Sequence, residues 1–235
     1  INDFNRLHEL PIIAKYWLEA QERAEVGGDF AFFKTHSGNV TLNKYKYTDE
    51  KRALGLIYLV RDPRDIVISY SKYLDKNIED IIHIITNRNA VAYGRFHGKK
   101  YYRVLLGSWD VHYKSWSALE VPKLVIKYES LLRKTRRTIN QIVGFFKQNY
   151  GFDFNNIEMK IDNIIKTTSF KKLRANEKEG GFNEAPYFFS RKKFAKYFFR
   201  KGTDKQWKKE LTVAQLKTIE GSFGSTMKEL DYLKK

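Results

Sequence analysis

Apolar residues along this chain fall into short, mostly β-branched runs separated by longer stretches with helical spacing. The short runs predict strands at Phe30–Phe33, Leu56–Val60 and Lys123–Tyr128. The amphipathic stretches predict helices over residues 7–22, from Pro63 onward, 78–85, within 99–117, 131–148, 158–165 and 212–231. The polar segments 43–52 and 174–184 predict loops. Strands that alternate with helices predict an α/β fold, with a parallel sheet between two layers of helices.

The composition is that of a globular protein, and we expect a single domain over residues 1–235. Hydrophobic residues make up 42% of the chain, but no apolar run approaches the ~20 residues that a membrane span needs. Cysteine is absent, which excludes disulfides and thiolate metal sites and favours a reducing compartment. The first residue is Ile1 rather than Met, so we expect an upstream segment to have been trimmed or to be lacking.

The charge of the chain favours anionic partners. It carries 44 Lys and Arg against 27 Asp and Glu, a net charge of +17. Such an excess attracts nucleic acid, a membrane face, an acidic glycan or a phosphorylated nucleotide alike. Residues 190–209 interleave nine Lys and Arg with aromatic residues. This stretch would suit a polyanion-binding surface, a loop over a nucleotide phosphate or a solvated basic face.

Arg61 and Ser69 are the most informative pair of polar residues. Arg61 follows the apolar strand Leu56–Val60, and Ser69 lies about two turns into the helix that Pro63 begins. A guanidinium and a hydroxyl at this spacing could both reach one phosphate held at the carboxyl edge of the sheet. The same pair could instead belong to an ion-paired helix start.

Polar residues also follow the other two predicted strands, Lys34 and His36 after the first and Tyr128 at the end of the third. Ligands of open α/β sheets bind along this edge. A His beside a Lys suits the transfer of a charged group to a hydroxyl. The imidazole can accept the proton of the hydroxyl, and the ammonium can stabilise charge on the leaving group. Neither role requires a metal, and we predict no metal site.

Six segments, in this order, resemble the family of sulfotransferases that use 3′-phosphoadenosine 5′-phosphosulfate as the donor. They are Lys34–His36, Arg61–Ser69, Gly107–Trp109, Tyr128–Glu129, Thr168–Phe170, and Phe199–Gly202 followed by Trp207. Each segment is short, and their common order makes the resemblance specific. It runs from Phe32 to about Tyr232 and implies a three-layer, P-loop-NTPase-like fold.

The resemblance also implies roles for particular residues. His36 would be the general base, and Lys34 would assist sulfuryl transfer. The 3′-phosphate of the donor, and of the product adenosine 3′,5′-bisphosphate, would be bound by Arg61, Ser69, Arg200, Lys201 and the backbone of Gly202. Tyr128 and Thr168 would orient the adenine.

The chain departs from the family pattern at three places. The Lys-Ser-Gly-Thr-Thr-Trp-like loop that binds the 5′-phosphosulfate is absent, and we expect this loop and its strand to lie upstream of Ile1. His36 is followed by Ser37-Gly38, where many cytosolic members carry Leu-Pro, so we expect a different acceptor side. The loop before Trp207 reads Thr203-Asp-Lys-Gln206, which is more basic than the usual Gly-Asp pair.

The leading hypothesis is therefore sulfuryl transfer to a hydroxyl, or less readily an amine, of a small-molecule or glycan acceptor. We expect a cytoplasmic monomer or weak homodimer that needs no nucleic acid and has no membrane span. Two alternatives remain from the residues themselves. One is a P-loop-type kinase whose Walker A motif lies upstream, and the other is a non-catalytic basic domain that binds RNA or a heparin-like polyanion.

Overall fold

The structure, a computed structural model, describes residues 10–24, 30–96, 100–182 and 197–234. The strands in these residues are β1 (Thr41–Leu42), β2 (Tyr45–Lys46), β3 (Leu56–Val60), β4 (Val91–Phe96), β5 (Lys100–Leu105) and β6 (Lys123–Lys127). The helices are α1 (Leu10–Ala14), α2 (Trp17–Glu22), α3 (Pro63–Leu74), α4 (Ile78–Thr86), α5 (Trp109–Ser117), α6 (Tyr128–Arg133), α7 (Thr135–Tyr150), α8 (Ile157–Thr167), α9 (Phe170–Gly180), α10 (Trp207–Glu210) and α11 (Val213–Glu229). The start of the basic stretch, residues 190–196, and the end of the predicted loop, residues 183–184, lie outside the described residues.

The strands pair in three small sheets. β3 and β6 are neighbours in one of them, and the α/β fold with a parallel sheet that the sequence predicts is confirmed. β1 pairs antiparallel with β2, and β4 pairs antiparallel with β5 from Val91–Leu105 to Phe96–Lys100. Within the described residues, no helix is both long and apolar enough to cross a membrane.

The chain divides into two compact units, which we describe separately. Unit 1 comprises residues 1–58, 79–123 and 212–235, and unit 2 comprises residues 59–78 and 124–211. Within unit 1, Trp109 of α5 packs on Phe223 of α11 with ring centroids 5.3 Å apart. The fully or almost fully buried side chains of unit 1 include Ile81, Ile219 and Met227. Those of unit 2 include Val67, Ile68 and Ile161, from α3 and α8.

The start of α3 follows the signals that the sequence carries. Pro63 is the first helical residue, a position where its missing N–H is not needed and its fixed φ suits the helix. Asp62 is the N-cap, and its carboxylate accepts a hydrogen bond from the Arg64 N–H at 3.0 Å. Only Arg61 and Asp62 separate strand from helix, so the end of β3 and the first turn of α3 hold a fixed relation.

The strand predicted at Phe30–Phe33 is wrong, because the structure has no regular element there. Phe32 and Phe33 are 76% and 69% exposed, and no described strand pairs with the segment. An apolar run favours a strand only where a neighbour supplies hydrogen bonds to its backbone.

Four further expectations are corrected. The predicted loop at 174–184 begins inside α9, a helix of Lys, Arg, Leu, Ala and Glu residues whose N-cap Ser169 accepts from the Lys172 N–H. The segment 99–117 holds β5 as well as α5, and the polar segment 43–52 contains β2. Tyr128 begins α6 instead of ending a strand.

Two isoleucines on the same helix test the packing of unit 2. Ile161 of α8 is 0% exposed, whereas Ile164 is 41% exposed. Ile161→Ala removes buried methyl groups and leaves a cavity, so we expect a loss of about 2–5 kcal/mol in unfolding free energy. Ile164→Ala, the matched control, should cost at most about 1 kcal/mol. Urea unfolding followed by circular dichroism gives both values, and equal losses would contradict the packing described here.

Candidate active site

Arg61, at the carboxyl end of β3, contacts the predicted nucleotide residue Tyr128 and the loop that follows Gly202. Its guanidinium carbon lies 4.5 Å from the centroid of the Tyr128 ring, within the range of a cation–π contact. Its Nη2 donates a hydrogen bond to the backbone oxygen of Thr203 at 3.2 Å. Three segments that are far apart in the sequence, at residues 61, 128 and 203, are thereby brought together.

A second bond ties the strand ends together. The carboxylate of Glu129 accepts the backbone N–H of Asp62 at 3.0 Å, which joins the residue after Arg61 to the residue after Tyr128. Burial raises the pKa of the half-buried Tyr128 phenol, and the nearby Arg61 guanidinium opposes that shift. The phenol therefore stays neutral, so its ring offers a stacking face without a charge that would repel an anion.

The loop Phe199–Trp207 carries three further predicted phosphate ligands. The Arg200 Nη2 donates to Gln206 Oε1 at 2.9 Å, and the exposed Lys201 ammonium lies 3.1 Å from a carboxylate oxygen of Glu210. Gly202 has a φ of +60°, and a Cβ there would lie 2.2 Å from the Phe170 ring. Only glycine fits this position, because any side chain would collide with Phe170 and strain the backbone.

Ser69 and Thr168 are placed differently. Ser69 is half-buried on α3, and no hydrogen bond to another described residue engages its hydroxyl. Thr168 is exposed at the end of α8, where its Oγ1 donates to the Ile164 backbone oxygen at 2.6 Å. No hydrogen bond joins Thr168 to Arg61 or Tyr128 in the described part of unit 2, and its role in adenine binding stays a prediction.

Lys34 and His36 belong to unit 1, and both side chains are exposed. The hydroxyl of Thr35 between them is hydrogen-bonded to the Tyr47 hydroxyl at 2.8 Å. Thr35 Oγ1 also accepts the Ser37 N–H at 3.1 Å, so the backbone turns tightly at this point. Among the described residues no cluster of three or more His, Asp or Glu side chains could hold a metal ion.

The segment that follows His36 is fixed by β5 and α5. Ser37 Oγ accepts the Leu105 N–H at 3.2 Å, and the Gly38 N–H donates to the Leu105 oxygen at 2.8 Å. The backbone carbonyl oxygen of Ser37 accepts a hydrogen bond from Trp116 Nε1 at 3.0 Å. A Cβ on Gly38 would lie 3.2 Å from Ser115 Oγ. The Ser37-Gly38 pair, which departs from the family pattern, is thus buried and serves as a backbone anchor.

His112 on α5 extends this anchor to the backbone of His36. Its Nε2 lies 3.2 Å from the His36 carbonyl oxygen, and its Nδ1 lies 2.7 Å from the Tyr58 hydroxyl. A carbonyl can only accept, so Nε2 carries the proton and Nδ1 accepts from Tyr58. Burial lowers the pKa of His112, outweighing the hydrogen bond to His36, which raises it.

Sequence reasoning missed the roles of His112, Asp65 and Arg64. The one signal for His112 in the sequence is its helical spacing from Trp109 and Trp116. Asp65 and Arg64 lie inside the Arg61–Ser69 segment, but their partners lie about 140 residues further along the chain. An acidic residue in the first turn of a helix is too common to predict such a contact.

Comparison with known proteins assigns the family. The sulfotransferase domain family model matches residues 2–231, nearly the whole chain. The chain therefore belongs to the sulfotransferase family, and the resemblance seen in its sequence is confirmed.

Relatives and solved structures agree with this assignment. Sulfotransferase 2A2 of mouse is 30% identical over 73% of this chain, and guinea pig 3-alpha-hydroxysteroid sulfotransferase is 26% identical over 73%. The chain spans about half the length of these relatives, since the match covers 55% of each. The fold is similar to that of mouse sulfotransferase SULT7A1 complexed with PAP, with a TM-score of 0.50 and 23% identity over 73% of this chain and 58% of that one. Retinol dehydratase in a complex with retinol and PAP gives a TM-score of 0.51 and 20% identity over 74% and 47% of the two chains.

The lowered pKa of His112 predicts how acid affects stability. Above an ordinary pKa of about 6.5 the imidazole is neutral in both folded and unfolded protein. As the pH falls below that value, the unfolded chain binds a proton on His112 but the folded protein does not, because its pKa is lower. The free energy of unfolding therefore decreases as the pH falls from the unfolded to the folded pKa. We expect the melting temperature of the wild type to fall between pH 7.5 and 5.5.

The variant His112→Gln isolates this effect, since its amide can still donate to the His36 oxygen but does not titrate. Its melting temperature should depend less on pH over the same interval. Differential scanning calorimetry at the two pH values compares them, and parallel slopes in both proteins would sink the assignment.

Proposed function

We propose that this protein transfers a sulfuryl group from 3′-phosphoadenosine 5′-phosphosulfate to an acceptor hydroxyl. The observation that carries the proposal is the meeting of Arg61, Tyr128 and Thr203, which unites three segments of the family pattern. A guanidinium beside an aromatic ring suits a nucleotide, because one binds phosphate oxygens and the other stacks on a base.

The residues of unit 2 fit the nucleotide. Arg61, Arg200 and Lys201 supply cations for the 3′-phosphate, with the Ser69 hydroxyl and the Gly202 N–H as further donors. Tyr128 would stack on or contact adenine, and Thr168 would bond to it from the end of α8. Since the donor molecule already carries an activated sulfuryl group, the protein needs to supply positioning, proton transfer and charge stabilisation.

The residues of unit 1 fit the acceptor chemistry. His36 would accept the proton of the attacking hydroxyl, and Lys34 would stabilise negative charge on the leaving phosphate. The anchor formed by His112, Trp116 and Leu105 holds the backbone after His36, so the imidazole projects from a fixed rather than a mobile segment. A general base on a fixed backbone segment is easier to align with the attacking hydroxyl.

The acceptor is proposed to be a small alcohol. One relative is named a 3-alpha-hydroxysteroid sulfotransferase, and a structural neighbour is complexed with retinol. These names favour apolar molecules with one hydroxyl over the glycan acceptor also expected from the charge. Cytoplasmic residence and a monomeric or weakly dimeric state stay predictions from the sequence. Membership of the sulfotransferase family disfavours both the kinase and the non-catalytic polyanion binder.

The proposal is tested first by nucleotide binding. We expect adenosine 3′,5′-bisphosphate to bind more tightly than adenosine 5′-monophosphate in isothermal titration calorimetry. Arg61→Ala removes a charge-assisted bond and should weaken the bisphosphate about 10–100-fold. Arg137→Ala removes the same charge from an exposed site on α7 and should leave binding unchanged.

Equal or negligible binding of both nucleotides by the wild type would overturn the proposal. A preference for ATP with magnesium would support the kinase. Steep salt dependence without saturable nucleotide binding would support the polyanion binder.

The role of His36 is tested by turnover. His36→Ala should lower kcat about 10²–10⁴-fold by removal of the general base. The dissociation constant for adenosine 3′,5′-bisphosphate should not change, because His36 is proposed to act on the acceptor. His83→Ala on α4, where the imidazole is exposed, is the matched control and should keep wild-type turnover. Full activity in His36→Ala, measured with an aromatic or steroid alcohol, would show that another group takes the proton.

A further inference from the structure

Asp65 is a buried carboxylate that the proposed reaction does not use. It is only 1% exposed, on the first turn of α3. Its Oδ2 accepts the backbone N–H of Lys205 at 2.6 Å, and its Oδ1 accepts the backbone N–H of Trp207 at 3.1 Å. Both oxygens are therefore committed to one loop, and both bonds involve a charged acceptor, the stronger kind of hydrogen bond.

Neighbouring residues of α3 hold the same loop from either side. The Arg64 guanidinium carbon lies 3.9 Å from the centroid of the Trp207 ring, and Arg64 is itself paired with Asp62 at 2.8 Å. Arg61 donates to the Thr203 oxygen, as described above. Lys205 adopts a left-handed φ of +58°, which a non-glycine residue keeps only where its surroundings enforce it.

The anchored residues adjoin the phosphate ligands. Arg200, Lys201 and Gly202 directly precede Thr203, and the Arg200 side chain is bonded to Gln206, between the two residues that Asp65 holds. A loop fixed at 203–207 presents its preceding residues in one arrangement. A ligand that binds this arrangement does not have to order the loop first. Less conformational entropy is then lost on binding, and the affinity is higher.

We propose that Asp65 is a positioning residue for 3′-phosphate recognition, acting by fixing the Lys205–Trp207 backbone on α3. The inference rests on the proposed nucleotide site and deepens it. It assigns to a carboxylate a role in binding an anion, although the carboxylate itself never touches that anion.

The direction in which Asp65→Asn changes nucleotide affinity distinguishes this positioning role from a purely electrostatic one. Asp65 lies near enough to Arg61 for the two charges to interact. A carboxylate in this place repels a phosphate, so charge alone predicts that Asp65→Asn strengthens binding. Positioning predicts the opposite, because the Asn amide presents N–H groups where one of the two backbone donors needs an acceptor. The two explanations therefore cannot both fit one measurement.

The experiment compares two nucleotides in three variants of the protein. Calorimetry at pH 8 gives dissociation constants for adenosine 3′,5′-bisphosphate and adenosine 5′-monophosphate. For Asp65→Asn we expect the bisphosphate to bind about 10-fold or more weakly, with the monophosphate nearly unchanged, so that the ratio of the monophosphate to the bisphosphate dissociation constant falls. Asp153→Asn, the same change at an exposed position of unit 2, should keep the wild-type ratio.

A second variant protects the test against misfolding. Asp65→Glu keeps both acceptor oxygens and the negative charge but displaces the carboxylate by one methylene, so positioning predicts a lower ratio, whereas charge alone predicts no change. If Asp65→Asn lacks a cooperative thermal transition, Asp65→Glu decides alone. A wild type that does not discriminate the nucleotides overturns the proposed function, and this inference with it. A discriminating wild type whose ratio is unchanged or raised in the deciding variant overturns the inference alone.

Discussion

The buried ion pair between Asp62 and Arg64 is the interaction on which the local architecture of unit 2 depends. Their side chains are only 8% and 6% exposed, and Asp62 accepts from the Arg64 backbone N–H, Nε and Nη2 at 2.8–3.0 Å. A buried pair is tolerated only when such bonds replace the lost water. Asp62 also caps α3, and Arg64 supports Trp207, so one pair fixes the helix start and the loop.

The elements that the sequence predicts well carry their signals locally. α3 begins at Pro63 after an Asp cap, and α11 begins after Thr212, which forms a capping box with Gln215. Two other elements were mispredicted for different reasons. Phe30–Phe33 has the composition of a strand, but no described strand pairs with it. The β4–β5 hairpin was missed because its residues do not alternate between apolar and polar.

In the candidate site, too, some residues could be predicted from the sequence and others could not. Arg61 and Tyr128 were placed at two strand ends by pattern and family resemblance, and the structure brings their side chains within 4.5 Å. The contacts of Asp65 and His112 could not be predicted, because their partners lie 140 and 76 residues away in the sequence. A residue type and its spacing indicate which group could bind a ligand. They do not indicate which group holds another in place, since that depends on the folded chain.

A group of neighbouring cations needs negative charges close by when no phosphate is bound. Arg61, Arg200 and Lys201 would repel one another if they formed an isolated anion site. In the structure Lys201 is paired with Glu210 and Arg133 with Asp204, while Asp65 lies beneath the loop. The Lys201–Glu210 pair has an exposed ammonium and costs little to separate, so a bound phosphate would readily replace it. The buried carboxylate cannot leave, and it is therefore the acidic group suited to fix geometry instead of competing with the ligand.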